Sequence, residues 1–316
     1  MLFQIVFLII GFVVLIKGAD VFVDGASSIA LNCKLSKMLI GLTIVAFGTS
    51  APEFAVSVKS IISNNSDMVL GNVIGSNILN ILLIIGICSI IKPIGVKNNT
   101  VRKELPIVML FSTLLFFLIK DDLFVNSVNM INRNDGFVII LFFAIFVYYL
   151  ISIMRNKKDE DSDDMAKYGM VKSIIFTVLG IVCIILGSNV VVDSASSIAT
   201  MMGVSQKMIA LTIVAFGTSL PELVTSIVST KKGEQEILVG NIVGSNIFNI
   251  GIVLGVPVAL FGGIQAIGFN IIDLVTMIIA AILLFVFSYK DNKITKFEGM
   301  ILLSIFVIYY TYVILG

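Results

Sequence analysis

Residues Gly41-Leu-Thr-Ile-Val-Ala-Phe-Gly-Thr-Ser-Ala-Pro-Glu53 and Ala210-Leu-Thr-Ile-Val-Ala-Phe-Gly-Thr-Ser-Leu-Pro-Glu222 are nearly identical. Each sets Gly, Thr, Ser, Pro and an ionisable Glu inside an otherwise apolar segment. A carboxylate in such a place is costly in lipid and marks an ion path or a binding site. Proline lacks an N–H, so the carbonyl four residues earlier, of Gly48 or Gly217, loses its helical partner. The residue before it, Ala51 or Leu220, is pushed away from helical geometry. The sequence therefore predicts unwinding over Gly-Thr-Ser in both copies. Such backbone is tolerated at membrane depth only where protein buries it or it lines a wet cavity. A helix restarting at the proline puts Pro52 or Pro221 at N1 and Glu53 or Glu222 at N2. The positive helix end there favours an ionised carboxylate by about 0.3–1 kcal/mol. No Lys or Arg occupies the middle of a plausible partner span, which weakens the reading of either glutamate as half of a structural ion pair.

The composition places both copies in a membrane. Hydrophobic residues make up 58% of the 316 and charged ones 13%, with net charge +1, and the mean hydropathy is +1.09. Soluble domains are about 45–50% apolar and about 25% charged. The charge balance gives no reason to expect a nucleic-acid partner. Histidine is absent, which removes the commonest general base and metal ligand. Cys33, Cys88 and Cys183 stand far apart and read as free thiols. The apolar start Met1-Leu-Phe-Gln-Ile-Val has no basic region or cleavage site and reads as a first span. Tryptophan is missing, so interfacial anchoring falls to Tyr148, Tyr149, Tyr289, Tyr309 and Tyr310.

Spans of about 20 apolar residues are expected near 2–19, 37–61, 68–91, 105–119, 136–154, 171–191, 207–230, 236–261, 270–288 and 296–315. The halves align without a gap at an offset of 169 positions (222 − 53), which also matches Asn80 to Asn249 and Asp24 to Asp193. Five spans per half is an odd number, so the second copy enters the membrane in the opposite sense. The expected fold is an all-α membrane protein of ten transmembrane helices in two inverted five-helix repeats, residues 1–154 and 170–316, with helices broken at the midplane. In such folds the binding site lies at the repeat interface.

With both termini outside, the inner loops hold Lys34, Lys37, Lys92, Lys97, Arg102, Lys103, Arg155, Lys157, Lys158, Lys167, Lys172, Lys231, Lys232, Lys290, Lys293 and Lys296. The outer loops hold Lys120, Arg133 and Lys207. That bias follows the positive-inside rule. Residues 155–169 form a linker whose acid run fails the EF-hand pattern: counted from Asp159, Asp164 stands where Gly is needed and Met170 where Glu is needed. It reads as a solvated cytosolic connection. Asp20, Asp24 and Asp193 fall near span ends and read as interfacial.

The third and eighth spans repeat Gly71-Asn-Val-Ile-Gly-Ser-Asn-Ile-Leu-Asn80 and Gly240-Asn-Ile-Val-Gly-Ser-Asn-Ile-Phe-Asn249. Glycines four apart allow close helix approach. Packing does not explain Ser76 with Asn80, or Ser245 with Asn249, which share a helical face at i and i+4. The donors collected are two carboxylates, the hydroxyls of Thr49, Ser50, Thr218, Ser219, Ser76 and Ser245, amide oxygens and carbonyls. An all-oxygen set suits hard cations such as Na⁺ and Ca²⁺. Two negative charges neutralise one Ca²⁺ or two Na⁺, so competition for them couples the ions.

On these doubled Gly-Thr-Ser-x-Pro-Glu and Gly-Asn-x-x-Gly-Ser-Asn motifs the chain resembles the calcium/cation antiporter superfamily, specifically the prokaryotic sodium/calcium exchangers. The resemblance implies exchange of several Na⁺ for one Ca²⁺ across the cell membrane by alternating access, the first and sixth spans sliding as a pair. It implies that Thr49, Glu53, Thr218 and Glu222 hold Ca²⁺. One Na⁺ site would use Ala46, Thr49, Ser76, Glu53 and Ser219, and its mate Ala215, Thr218, Ser245, Glu222 and Ser50. Asn80 and Asn249 would line the middle. K⁺-dependent relatives typically carry an aspartate where Asn249 stands, so the resemblance argues against K⁺ transport. No cofactor and no protein partner is implied, only the ions and the bilayer. Proton/calcium antiport is the second reading and a cation channel the third. An intramembrane hydrolase is disfavoured by the absence of histidine and of a Gly-x-Ser-x-Gly stretch.

Overall fold

The computed structural model describes residues 1–63, 65–120, 129–155, 165–204, 213, 215–266 and 270–315. The linker residues Lys157 and Lys158, the acid run 159–164, Lys207 and the start of the expected seventh span lie outside them. Apart from four two-residue strands, the described elements are helices. Seven of these, among the described residues, are long and apolar enough to cross a membrane. The consecutive segments Lys37–Thr49 and Ala51–Ile62, bent by 45°, make an eighth.

Helix α1 (Leu2–Asn32) and helix α9 (Met170–Met201) run for 31 and 32 residues. At 1.5 Å per residue each is about 45–50 Å long, well beyond the roughly 30 Å hydrocarbon layer. Both outrun the expected spans, so Asp20, Asp24 and Asp193 sit within helices instead of finishing them. The reason is partnership on the first two: Lys232 Nζ lies 2.8 Å from Asp20 Oδ1 and 2.5 Å from Asp24 Oδ1, and Lys167 reaches Asp24 Oδ2 at 2.5 Å. Asp193 is exposed. The two long helices pack antiparallel through glycines seven residues apart, Gly11, Gly18 and Gly25 on α1 and Gly180 and Gly187 on α9. A Cβ on Gly18 would stand 2.7 Å from that of Cys183, and one on Gly180 2.6 Å from that of Phe22.

The first Glu-bearing segment consists of α2 (Lys37–Ile40), a π-helical turn (Gly41–Val45), α3 (Ala46–Thr49) and α4 (Ala51–Ile62). The break is narrower than the sequence suggests. Gly48, Thr49 and Ala51 stay helical and one residue departs, Ser50 at φ −83° and ψ 5°. Glu53 consequently sits third in the new helix, not second. The second copy repeats this geometry with α10 (Ala215–Thr218), Ser219 at φ −88° and ψ 4°, and α11 (Leu220–Lys232).

Helix α5 (Ser66–Ile78), a π turn (Leu79–Ile85) and α6 (Gly86–Ile91) form one continuous span. Helix α12 (Gln235–Phe248), a π turn (Asn249–Leu254) and α13 (Gly255–Phe261) form its counterpart. These two spans occupy the centre: 72% and 89% of their most apolar stretches are buried, against 17–33% for α1, α8 (Arg133–Arg155), α9, α14 (Ile271–Asp291) and α15 (Lys296–Leu315). At the second of these spans close approach depends on the glycines of its motif. A Cβ on Gly240 would meet Met38 O at 2.6 Å, and one on Gly244 would meet the Ala46 Cβ at 2.6 Å. A further π turn (Thr100–Glu104) leads into α7 (Leu105–Ile119), and the Tyr149 hydroxyl of α8 donates to Glu104 there.

Short antiparallel strand pairs tie the loops together. β1 (Ile94–Gly95) pairs with β4 (Lys293–Ile294), and β2 (Met130–Ile131) with β3 (Ile264–Gln265). Around the first pair gather Lys37 with Glu234 at 3.0 Å, Lys97 with Glu236 at 3.0 Å, and Gln235 with Pro93 and Gly95. Near the second pair, Arg133 donates to Leu260 O at 2.8 Å.

Candidate cation site

Both glutamates are fully buried, at 0% exposure. They lie close enough for the charge of one to bear on the other, with Ser219 of the second break beside Glu53. The Ser50 hydroxyl, in the break of the Glu53 segment, donates to Glu222 Oε1 at 3.1 Å. Among the described residues, three carboxylate oxygens, Glu53 Oε1 and Oε2 and Glu222 Oε2, accept no hydrogen bond. Buried anions are strongly disfavoured unless paired or bound to a cation, and among the described residues neither carboxylate has a Lys or Arg in ion-pairing range. Their helix N-terminal placement supplies part of the compensation. A hard cation between them would supply the rest, with carboxylate and hydroxyl oxygen as ligands.

The neighbouring hydroxyls converge on the same place. Thr49 Oγ1 lies 3.5 Å from Ser245 Oγ, and Ser219 Oγ donates to Ser76 Oγ at 3.1 Å. Thr49, Ser50, Ser219, Ser76 and Ser245 are all buried. The serines of the central spans thus reach the breaks of the opposite half: Ser76 lies with Ser219, as in the expected set, whereas Thr49, expected with Ser76, lies beside Ser245. Asn80 and Asn249 are buried on the π turns. Neither Asn80 amide atom has a partner, and Asn249 Nδ2 donates to Asn77 Oδ1 at 3.1 Å while its Oδ1 is unpartnered. The carbonyl of Ala46 accepts from Ser50 N at 3.0 Å, which takes one of its two lone pairs, and lies 3.3 Å from Thr49 Oγ1. Ala215 opens α10, and its side chain lies outside the described set.

Sequence reasoning passed over three asparagines. Asn72 Nδ2 donates to Glu53 O at 2.9 Å and to Ser57 Oγ at 3.1 Å, while its Oδ1 accepts from Thr218 at 3.4 Å. Asn241 Oδ1 accepts from Thr49 at 3.0 Å, and its Nδ2 donates to Ser226 Oγ at 3.3 Å. Asn77 orients Asn249. The signal was present, since Gly71-Asn72 and Gly240-Asn241 open the repeated motif, but their partners lie on other spans. The π turns holding Asn80 and Asn249 carry no proline or other local marker. Such turns widen a helix by one residue and recur at functional sites.

The sequence matches the family model of the sodium/calcium exchanger protein over residues 3–152 and 172–315. The chain belongs to the sodium/calcium exchanger family. It is accordingly a membrane transporter and not an enzyme. It is 38% identical to CaxA of Alkalimonas amylolytica, with 98% of each chain covered. It is 30% identical to the sodium/calcium exchanger MaX1 of Methanosarcina acetivorans, over 95% of each. Its fold superposes on the solved sodium-calcium exchanger NCX_Mj, soaked with Na⁺ and Sr²⁺, with TM-score 0.84 at 30% identity, covering 98% of this chain and 97% of that one.

Proposed function

We propose that this exchanger moves Na⁺ against Ca²⁺ across the cell membrane by alternating access, without K⁺ and with net charge movement. The observation that carries the reading is the buried pair Glu53 and Glu222, one from each duplicated segment and neither neutralised by a base. In this reading Glu53, Glu222, Thr49 and Thr218 hold Ca²⁺. Ser50, Ser219, Ser76, Ser245 and the carbonyls of Ala46 and Ala215 complete two Na⁺ positions, with Asn80 and Asn249 between them. Two carboxylates cannot neutralise a Ca²⁺ and two Na⁺ at once, so the ions exclude one another and exchange follows. Among the described residues there is no cluster of three or more acidic, His or Cys side chains, a ligand charge low enough to release Ca²⁺.

The proposed architecture is ten spans in two inverted repeats, residues 1–154 and 170–316, joined by a cytosolic linker, with both termini outside. Loop contacts support the count. Ten alternating crossings put residues 93–97, 232–236 and 292–294 at one face and 130–133 and 260–266 at the other, the two groups that the strand pairs and their neighbouring bonds join. The amide at Asn249 supports K⁺ independence, and exchange of more than two Na⁺ per Ca²⁺ would make transport electrogenic.

The test is Ca²⁺ uptake into Na⁺-loaded proteoliposomes diluted into choline, K⁺ or Na⁺ medium, with and without an imposed potential. Uptake in choline, abolished by outside Na⁺, indifferent to K⁺ and accelerated by an inside-positive potential is expected. Uptake that ignores Na⁺ and follows a pH gradient would replace the reading with proton exchange.

A further inference from the structure

The hydroxyls of Thr49 and Thr218 each have one proton, and where it points decides whether the oxygen can bind a cation. A threonine in a helix normally donates to a carbonyl three or four residues back, and Thr49 Oγ1 has two such acceptors, Val45 O at 3.1 Å and Ala46 O at 3.3 Å. A nearer one is Asn241 Oδ1, at 3.0 Å, from the opposite half of the duplicated chain. The orientation of Asn72 is fixed by what it donates to, and that of Asn241 follows from its equivalent place in the repeat. Asn72 Nδ2 lies 2.9 Å from the Glu53 carbonyl, which can only accept, so the amino group must face it and Oδ1 must face Thr218. Asn241 holds the equivalent place 169 positions later, and its Nδ2 donates to Ser226, the counterpart of Ser57.

We infer that Asn72 and Asn241 are positioning residues for the transported cation. Each accepts the hydroxyl proton of a threonine from the other half on its amide oxygen, and in doing so sets which way that threonine's lone pairs face. Each also ties three segments together, namely its own central helix, the Glu-bearing helix of its own half and the threonine of the other. The ligand geometry of one half is thereby set by the other. No contact between either asparagine and the ion is needed. With Asn241 replaced by an apolar residue, the Thr49 hydroxyl would turn back to Val45 O or Ala46 O, its lone pairs rotating with it. This inference rests on the proposed role of Thr49 and Thr218 as ligands.

The experiment is a double-mutant cycle on Asn241→Leu and Thr49→Val, read as the half-saturating Ca²⁺ for uptake and as Ca²⁺ affinity by calorimetry on the purified full chain. Asn241→Leu is expected to raise the half-saturating Ca²⁺ roughly tenfold, as loss of an outer partner of a metal ligand does, with maximal rate retained. In the Thr49→Val background, where no hydroxyl remains to be aimed, the same substitution should add almost nothing. Additive effects, or a fall in maximal rate with unchanged half-saturation, would show that Asn241 serves packing alone and would overturn the inference. If Thr49→Val itself leaves Ca²⁺ affinity unchanged, the ligand assignment fails instead, which separates the two outcomes. Asn72→Leu with Thr218→Val repeats the cycle on the other half and guards against misfolding of one variant.

Discussion

Two interfaces in this exchanger are built on opposite principles. Between α1 and α9 the contacts are glycines at seven-residue spacing against Phe22, Leu15, Cys183 and Val191, with directional bonding at one end, where Asn32 donates to Ser173 at 3.4 Å. At the centre, where α3, α4, α10 and α11 meet the two buried spans, the contacts are hydroxyls, amides and carboxylates in fixed pairings. Small-residue contacts bring two backbones close over a long stretch and join them by shape. A buried polar network is satisfied in few arrangements and holds its members in place. The first interface suits two helices that act as one body, and the second suits selection of an ion.

That contrast can be broken most severely at the centre. Glu53→Gln and Glu222→Gln should each reduce Ca²⁺ uptake at least about a hundredfold, because a buried charge interaction is removed while the shape is kept. Uptake into Na⁺-loaded proteoliposomes checks this, and near-normal rates in either variant would take that residue out of the site. A bulky side chain in the other interface should act differently. Gly11→Leu places a Cβ 2.9 Å from Val191 Cγ2, and overpacking of this kind is worth about 1–3 kcal/mol, roughly a tenfold slowing if it falls on the transport step. Ca²⁺ affinity by calorimetry should stay within about twofold, since Gly11 and the side chains it meets supply no proposed ligand. A loss of affinity matching the loss of rate would erase the distinction between the two interfaces.

Smaller effects sharpen it. Lys232 bridges α11 to Asp20 and Asp24 of α1, and at the positions related by the repeat stand Ser63, Asn189 and Asp193. Among the described residues the long pair is therefore fastened by charge at one end. Lys232→Met should change the uptake rate by up to about fivefold and flatten its dependence on ionic strength, the scale of partly exposed ion pairs. A rate and salt response equal to the unsubstituted protein would make the bridge passive. Lys167→Ala should alter the rate less than about twofold, its pair with Asp24 being largely exposed on the lysine side. Lys167 is held above the ordinary lysine range, by its hydrogen bond to Asp24 first and by Tyr168 second. A raised value of this sign contributes at all pH below the unfolded lysine range and is lost only as pH rises through the folded one. Thermal stability should therefore show no lysine step between pH 6 and 9.

The parts of this arrangement legible in sequence were those encoded by a single residue type in an unlikely place. Glu53 and Glu222 in apolar runs, Pro52 and Pro221 inside spans, and Gly240 and Gly244 four apart each announce themselves locally. Ser50 as the departing residue did not, because the proline disturbs the turn before it and the displacement settles where strain is least, two residues upstream. Asn72, Asn77 and Asn241 were quoted within a motif yet carried no role, since an amide acquires one only when a partner from another helix chooses between its oxygen and its nitrogen. The full length of α1 was hidden by Asp20 and Asp24, which look like an end until Lys167 and Lys232 are seen to neutralise them.

The two-residue strands are the least conspicuous elements and constrain the whole. Each ladder fastens a connection in the first half to one in the second, reinforced by Val96 N to Asn292 O at 2.8 Å and Ala266 N to Asn129 O at 2.9 Å. Neither ladder includes α1 or α9. Opening this hoop at either rim would break a ladder, whereas displacing α1 and α9 would break neither, and hydrogen exchange should find those two helices loosening before the paired connections.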